Sequence, residues 1–234
     1  MNKGIVIIPT YNEAENVIPL IERIASLSIK FDIMVVDDNS PDGTADLVKQ
    51  YMKSARHADE LDNLRIHIYV RENKKGLGTA YIYGFKKALE LGYDYIFEMD
   101  ADLSHNPDDL IQLYSACADE GYDMAIGSRY ISGVNVVNWP IGRVLLSLFA
   151  SLYVKIVTGM PIQDPTAGFI CYKRRVLETI DLDKVRFIGY AFQIEMKFTT
   201  WKYGFLIREI PIIFTDRKGG ESKMSIHIFK EVVW

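Results

Sequence analysis

Two carboxylates one residue apart close an apolar run in Tyr95-Ile-Phe-Glu-Met-Asp100-Ala101-Asp102-Leu-Ser104-His105-Asn-Pro107. Such a run reads as a buried strand that delivers its last residues to the carboxyl edge of a sheet, where ligands of open α/β folds bind. Asp100 and Asp102 together can hold one hard divalent cation. Mg²⁺ is commonly bound by one or two carboxylates plus substrate phosphates, not by a full protein cage. The chemistry this suggests is metal-assisted reaction of a phosphorylated substrate. Acidic residues before Pro107 also suit the start of a helix, so the pair alone leaves both readings open.

Other polar groups gather at the ends of apolar runs. Pro9-Thr-Tyr11-Asn12-Glu13 follows the first run; Tyr11 can stack on a base and Glu13 can accept from it. The same residues can start a helix, with Asn12 as N-cap and Glu13 in the first turn. Asp37-Asp38-Asn-Ser-Pro-Asp-Gly43 ends the second run, and its acidic pair can hydrogen-bond ribose or base, or form a turn before a capped helix. A phosphoacceptor pocket would need a further Asp ending the third run, which instead closes as Tyr69-Val70-Arg71. Asn73-Lys-Lys-Gly76-Leu-Gly78 fits neither the dinucleotide fingerprint nor a P-loop, which disfavours a hydride-transferring enzyme and leaves a tight turn near the site. Arg129 ends the fifth run, where a guanidinium can face the cleft and fork onto phosphate oxygens. Arg217-Lys-Gly-Gly-Glu-Ser-Lys223 is a basic, glycine-bearing loop of the kind that closes over phosphates, or that is simply solvated. Asp164-Pro-Thr166 with Gly168, and Gly189 through Glu195, add polar groups that turns or caps also explain.

The elements that must carry these residues alternate. Strands are expected at 5–8, 33–36, 64–70, 95–99 and 124–126, and helices at 13–27, 44–53, 78–91 and 107–120. Continuous apolar strands between helices imply an α/β fold with a mostly parallel sheet covered on both faces. A chain of 234 residues, 49% hydrophobic, can bury one large core. A net charge of -4 argues against bulk attraction to nucleic acid. Cys117 and Cys171 lie far apart in apolar contexts and read as buried thiols of a reducing compartment. Residues 4–8 are too short for a signal peptide and read as a first strand.

Residues 131–140 read as a loop, and 141–157 as an apolar helix interrupted by Arg143 and Lys155. The uncharged stretch between them is too short to span a bilayer, which needs about 20 residues. Arg143, Ser147, Ser151 and Lys155 recur every fourth position and form one narrow stripe on a helix. Such a helix suits a membrane interface. An ordinary core helix is the other reading.

Taken in order, Pro9 to Glu13, Val36 to Thr44, Asn73 with Gly76, Met99 to His105, Gly127 to Tyr130, Asn138-Trp-Pro140 with Arg143 and Ser147, Asp164 to Phe169, Phe192 to Glu195, and Arg217 to Met224 resemble glycosyltransferase family two with the GT-A fold. Within it they are most similar to the dolichol- and polyprenyl-phosphate mannose synthases. The resemblance implies a GT-A catalytic domain over 1–225, including an interfacial helix at about 141–157, and a short amphipathic segment at 226–234. It implies that Pro9, Tyr11, Glu13 and Asp38 line a nucleoside pocket. Asp100, Ala101 and Asp102 would meet the donor, the two aspartates holding Mg²⁺ or Mn²⁺ and the diphosphate. Arg129, Arg143 and Ser147 would receive the acceptor phosphate, Arg129 also being catalytic. Arg217 and Lys223 would close over the donor. Relatives often carry Gln where this chain has Ser104, whose shorter hydroxyl would reach a cation through water.

The implied reaction moves mannose from GDP-mannose to polyprenyl phosphate, on the cytoplasmic face of a membrane. Attachment would be peripheral or through an anchoring partner protein, since some members add transmembrane helices that are not seen before Trp234. A phosphate monoester, with a second pKa of about 6, is already largely a dianion near neutrality and needs positioning more than deprotonation. Direct displacement then inverts the anomeric carbon. One alternative keeps the family but uses another nucleotide sugar, of the UDP-glucose type, or a saccharide hydroxyl with Asp164 or Glu195 as base. A non-enzymatic alternative is an acidic-pocket signalling module around Asp37 and Asp38.

Overall fold

Residues Ile5 and Ile7 turn to one side of the first strand and Val6 and Ile8 to the other, and all four are fully buried. A strand buried on both faces must lie inside a sheet with helices above and below. The computed structural model describes residues 3–57, 64–189 and 191–216. Its elements run β1 (Gly4–Thr10), α1 (Val17–Ala25), β2 (Asp32–Asp37), α2 (Thr44–His57), β3 (Ile66–Val70), α3 (Leu77–Glu90), β4 (Tyr95–Glu98), α4 (Asp109–Ala118) and β5 (Met124–Ser128). They continue β6 (Val136–Val137), α5 (Ile141–Thr158), β7 (Ile170–Lys173), α6 (Arg174–Thr179), α7 (Ala191–Lys202), β8 (Ile207–Pro211) and β9 (Phe214–Thr215).

Seven strands form one sheet in the order β3-β2-β1-β4-β7-β5-β8, and β6 pairs with β9 in a small parallel ribbon. Strands β3, β2, β1 and β4 are mutually parallel, as are β5 and β8. Strand β7 runs antiparallel between β4 and β5, with Cys171 opposite both Phe97 and Ala125. On one face Leu20, Ile24, Leu110 and Leu113 pack over Val6, Ile8 and Phe97. On the other, Tyr81, Phe85, Phe192 and Met196 pack over Ile7, Ile96 and Ile126. Each large side chain withdrawn from water in this way contributes about 1.5–3 kcal/mol. Helix α3 lies so close to β1 that a Cβ on Gly84 would stand 2.6 Å from Ile7 Cγ2.

The structure departs from the sequence expectations in identifiable ways. The first helix begins at Val17 rather than at residue 13. Asn12 is left-handed, at φ 59°, so it turns the chain over the sheet edge instead of capping a helix. The Glu13 carbonyl then accepts from the amides of Asn16 and Val17, and the helix follows one turn late. Strands β7 and β8 were not expected: Arg, Lys and Glu interrupt or bound their short apolar runs, and the regular strand–helix alternation that marked the earlier strands ends after β5. The expected loop at 131–140 contains β6. Arg217, Lys223 and the segment 226–234 lie outside the described residues.

Candidate active site

The carboxyl ends of β1, β2 and β4 open into a cavity of about 280 Å³. Pro9, Tyr11, Glu13, Asp38, Asp100, Ala101 and Asp102 all line it. Parallel strands explain the gathering, because their carboxyl ends share one edge. Thr10, Lys74, Gly76, Leu77, Ala80 and Gly189 complete the wall; the stretch from Asn73 to Gly78 reads in sequence as a tight turn near the site, with no separate role for Lys74. The Lys74 ammonium lies 4.0 Å over the Tyr11 ring.

Adjacent aspartates divide the work at the end of β2. Asp37 is wholly buried and accepts from Thr10 Oγ1 at 2.7 Å, from the Ser40 amide at 2.9 Å and from Ser40 Oγ at 2.6 Å. It ties β1 to the following turn. Asp38 lines the cavity and is held by Arg71 Nε at 2.5 Å. Arg71 Nη1 also donates to Thr79 Oγ1, which donates to the Gly76 carbonyl. One guanidinium thus locks two cavity walls together, and nothing local to Arg71 in the sequence announced it. Ser40 Oγ, Asp42 and Thr44 Oγ1 accept from the amides of Asn12, Ala14 and Glu13 respectively. The turn reading of 37–44 therefore holds: the turn is the brace for Tyr11 and Glu13, and Asp38 beside it lines the cavity.

Each carboxylate of the Asp-x-Asp pair has its own support. Tyr81, wholly buried, donates its hydroxyl to Asp100 Oδ1 at 3.1 Å. Burial, with the charge of Asp100 second, pushes the Tyr81 pKa well above its ordinary value, so the hydroxyl stays a donor. Asp102 Oδ1 accepts from the Ser104 amide at 3.1 Å. Between them Leu103 sits at φ 59°, a conformation that costs an L-residue about 1–2 kcal/mol. The backbone of Ser104 shapes the turn, while its side chain is buried and does not line the cavity. No cluster of three or more His, Cys, Asp or Glu able to hold a metal occurs among the described residues. Two hard carboxylates on a cavity wall nonetheless fit a cation that takes its other ligands from phosphates and water.

Behind the pair lies a buried polar network. Glu98 accepts from Tyr172 at 2.9 Å and from Gln193 Nε2. Lys197, fully buried, donates to the Ala167 carbonyl at 2.5 Å and to the Gln193 carbonyl at 3.2 Å. Burial pushes Glu98 up to about 7 and Lys197 down to about 8.

Arg129 corrects an expectation. Its fork does not open to the cleft: Nε and Nη2 engage Asp164 at 2.7 and 2.6 Å, and Nη2 also reaches Thr166 Oγ1 at 2.8 Å. Asp164 is wholly buried; burial would raise its pKa, but the charge and hydrogen bonds of Arg129 bring it below the usual value. Arg129 stays near the other two expected acceptor residues through aromatic rings. Its Cζ lies 5.2 Å from the Tyr130 ring and 5.6 Å from the Trp139 ring. Tyr130 donates to Ser147 Oγ at 2.7 Å, and Arg143 Cζ lies 4.0 Å over Trp139. Asp164 and Glu195, the base candidates for a saccharide acceptor, do not line the cavity. Glu195 instead accepts from the amides of Arg186 and Phe187.

Helix α5 is turned inside out relative to a core helix. Ser147, Ser151 and Val154 face the body, whereas Ile141 is 79% exposed, Phe149 65% and Ile156 73%. The core-helix reading is thereby overturned. Among the described residues this is the one helix long and apolar enough to cross a membrane. Polar tethers along its length, Arg143 to Asp216, Tyr130 to Ser147 and Lys155 to Gln163, lay it against the protein.

Two outcomes follow from buried charge. Arg129→Ala leaves Asp164 uncompensated and should lower stability by about 3–5 kcal/mol. Urea unfolding checks this; an unchanged midpoint with lost activity would mean that the guanidinium serves only a ligand. His105 is buried, stacked 4.8 Å from Phe169, and its Nδ1 meets no hydrogen-bond partner among the described residues. Burial lowers its pKa from 6.5 to about 4. Between those values the unfolded chain binds more protons than the folded one, so stability falls as pH drops through that window. His105→Asn should flatten this acid limb in urea midpoints measured from pH 7 to pH 4; an equally steep limb would assign it to another group.

Comparison with known proteins supplies the family. A family model described as glycosyl transferase family 2 matches residues 5–181. The polyprenol monophosphomannose synthase of Mycolicibacterium smegmatis is 45% identical, over 99% of this chain and 84% of that protein. The undecaprenyl-phosphate mannosyltransferase of Micrococcus luteus is 44% identical, over 97% of this chain and 89% of its own length. Among solved structures, Mycobacterium tuberculosis glucosyl-3-phosphoglycerate synthase with Mn²⁺ and UDP-glucose aligns with a TM-score of 0.67 at 16% identity, over 99% of this chain and 75% of that one. The mannosyltransferase PcManGT of Pyrobaculum calidifontis, with GDP-Man and Mn²⁺, aligns with a TM-score of 0.63 at 19% identity, over 99% and 60%. At such identities these structures bear on fold alone, and the fold they share is GT-A. The chain belongs to glycosyl transferase family 2 and is a glycosyltransferase.

Proposed function

We propose that this protein transfers mannose from GDP-mannose to a polyprenyl phosphate, with inversion, at a membrane surface. The observation that carries the proposal is α5: its polar stripe, with Arg143 and Ser147, faces the body while its outer face is apolar and exposed. An anionic headgroup and a hydrocarbon tail need those two surfaces side by side. The relatives named for polyprenol and undecaprenyl phosphate support the acceptor, and the neighbour with GDP-Man supports the donor.

In this reading the nucleoside sits against Pro9 and Tyr11, with Glu13 and Asp38 as acceptors for base or ribose; Lys74, now over Tyr11, moves aside for it. Asp100 and Asp102 hold Mg²⁺ or Mn²⁺, which when bound neutralises charge on the departing diphosphate. Tyr81 and the Ser104 amide keep those carboxylates aimed. Arg143 and Ser147 receive the lipid phosphate, and Arg129, locked on Asp164, adds positive field and rigidity beside them. The acceptor is already ionised, so no base is required. That suits a site whose base candidates are occupied, Asp164 by Arg129 and Glu195 by backbone amides. A phosphoacceptor module is disfavoured for a similar reason, since Asp37 is buried and fully engaged. The outward face of α5 provides the membrane contact itself, peripherally on the cytoplasmic leaflet, without an anchoring partner.

The test is transfer from labelled GDP-mannose to polyprenyl phosphate in vesicles, with and without EDTA. A mild-acid-labile, metal-dependent glycolipid is expected, and Asp102→Ala should lower turnover by at least about 10²-fold. Phe149→Asp with Ile156→Asp should release the protein from vesicles without changing its affinity for GDP-mannose. Transfer to a soluble sugar with none to polyprenyl phosphate would overturn the assignment.

A further inference from the structure

The guanidinium of Arg143 is engaged by a carboxylate in an unusual manner. Nη1 alone donates to both oxygens of Asp216, at 2.9 and 3.0 Å. This is not the two-nitrogen fork that arginine makes with a carboxylate in a stable pair. Arg143 Nε–H and the indole Nε1–H of Trp139 are both buried, and neither meets a hydrogen-bond partner among the described residues. The two groups adjoin, since the guanidinium carbon lies 4.0 Å over the indole ring. A buried donor without an acceptor forfeits the hydrogen bond it gave to water on exposure. Two in contact point to an absent ligand with several acceptor atoms. Asp216 meets Arg143 with both oxygens on one nitrogen; a phosphate monoester has three terminal oxygens to share among the three N–H groups.

The neighbouring pair supplies the contrast. Arg129 forks onto Asp164 with two nitrogens, and Asp164 is wholly buried. That carboxylate cannot leave. The Asp216 side chain is 26% exposed, and it directly follows β9. It can be exchanged for another anion.

We propose that Asp216 is a specificity-determining residue of the acceptor site: it holds Arg143 when the acceptor is absent and gives way to the terminal phosphate of the lipid, which then also accepts from Trp139 Nε1 and Arg143 Nε. The inference rests on the acceptor role proposed above for Arg143. An incoming anion must outcompete a resident carboxylate, so a dianionic phosphate enters and a lipid carboxylate does not. The backbone that carries Asp216 also adjoins the cavity wall. The Asp216 amide donates to the Val137 carbonyl, and the adjoining Thr215 amide donates to the carbonyl of Ser104, whose own amide holds Asp102.

The experiment is equilibrium binding by the full chain of a short polyprenyl phosphate and its carboxylate analogue in detergent micelles, with GDP-mannose binding measured in parallel. Asp216→Asn should bind the phosphate on the order of fivefold more tightly, the scale of a partly exposed ion pair. It should also gain measurable affinity for the carboxylate. Trp139→Phe, which keeps the ring and loses the donor, should bind the phosphate on the order of tenfold more weakly. Neither change should move GDP-mannose affinity. Equal or weaker phosphate binding by Asp216→Asn overturns the exchange, and unchanged binding by Trp139→Phe overturns the indole contact. Arg143→Ala separates the levels. If it leaves phosphate affinity intact, the acceptor assignment itself fails; if it weakens binding while Asp216→Asn does not strengthen it, only the exchange fails.

Discussion

Negative charge crowded onto one sheet edge is the constraint to which the rest of this molecule answers. Asp37, Asp38, Glu98, Asp100 and Asp102 lie at or just after the ends of strands, and Asp164 joins them through Arg129, the residue after β5. Like charges held this close raise one another's energy unless each is given its own donor. The donors are distributed one by one: Thr10 and Ser40 for Asp37, Arg71 for Asp38, Tyr172 and Gln193 for Glu98, Tyr81 for Asp100, the Ser104 amide for Asp102, Arg129 for Asp164. Most of these donors come from elsewhere in the chain, so the tertiary fold is what makes the edge tolerable. Three of the four carboxylates that line the cavity, Asp38, Asp100 and Asp102, belong to this same set, and Glu13 is the fourth.

The side proposed for the acceptor is built by a different rule. Here the cations are the scarce groups, and aromatic rings space them. Trp139 lies against both Arg129 and Arg143, and Tyr130 links Arg129 to Ser147. Guanidiniums over ring faces keep their charge while shedding part of their water. Such a surface can receive an anion without being filled by solvent first.

Much of the cavity was legible because its residues sit directly after apolar runs, and parallel strands bring their ends to one edge whatever the loops do. Tyr11, Asp38, Asp100 and Asp102 could be placed that way. What resisted reading depends on distant partners. Asp164 lies 35 positions from Arg129, and no local pattern tells whether an arginine at a strand end will meet a substrate or a carboxylate. Arg71 looked like the bare end of β3 until Asp38 and Thr79 were beside it. Strand β7 is four residues long and slips in antiparallel, which the alternation of earlier strands and helices did not forecast. For α5 the stripe was visible but not its direction: periodicity shows that a helix has two faces, not which of them the body takes.

Helix α5 lies flat along the protein, pinned at Arg143, Ser147 and Lys155, with Phe149 and Ile156 pointing away. On the proposed reading this sets the enzyme at a constant height over the bilayer, close enough that the isoprenoid need never be lifted out. Only the first units next to the headgroup would touch polypeptide, and the remainder would stay dissolved among acyl chains. An enzyme arranged in this way measures no length: long and short carriers should serve it alike.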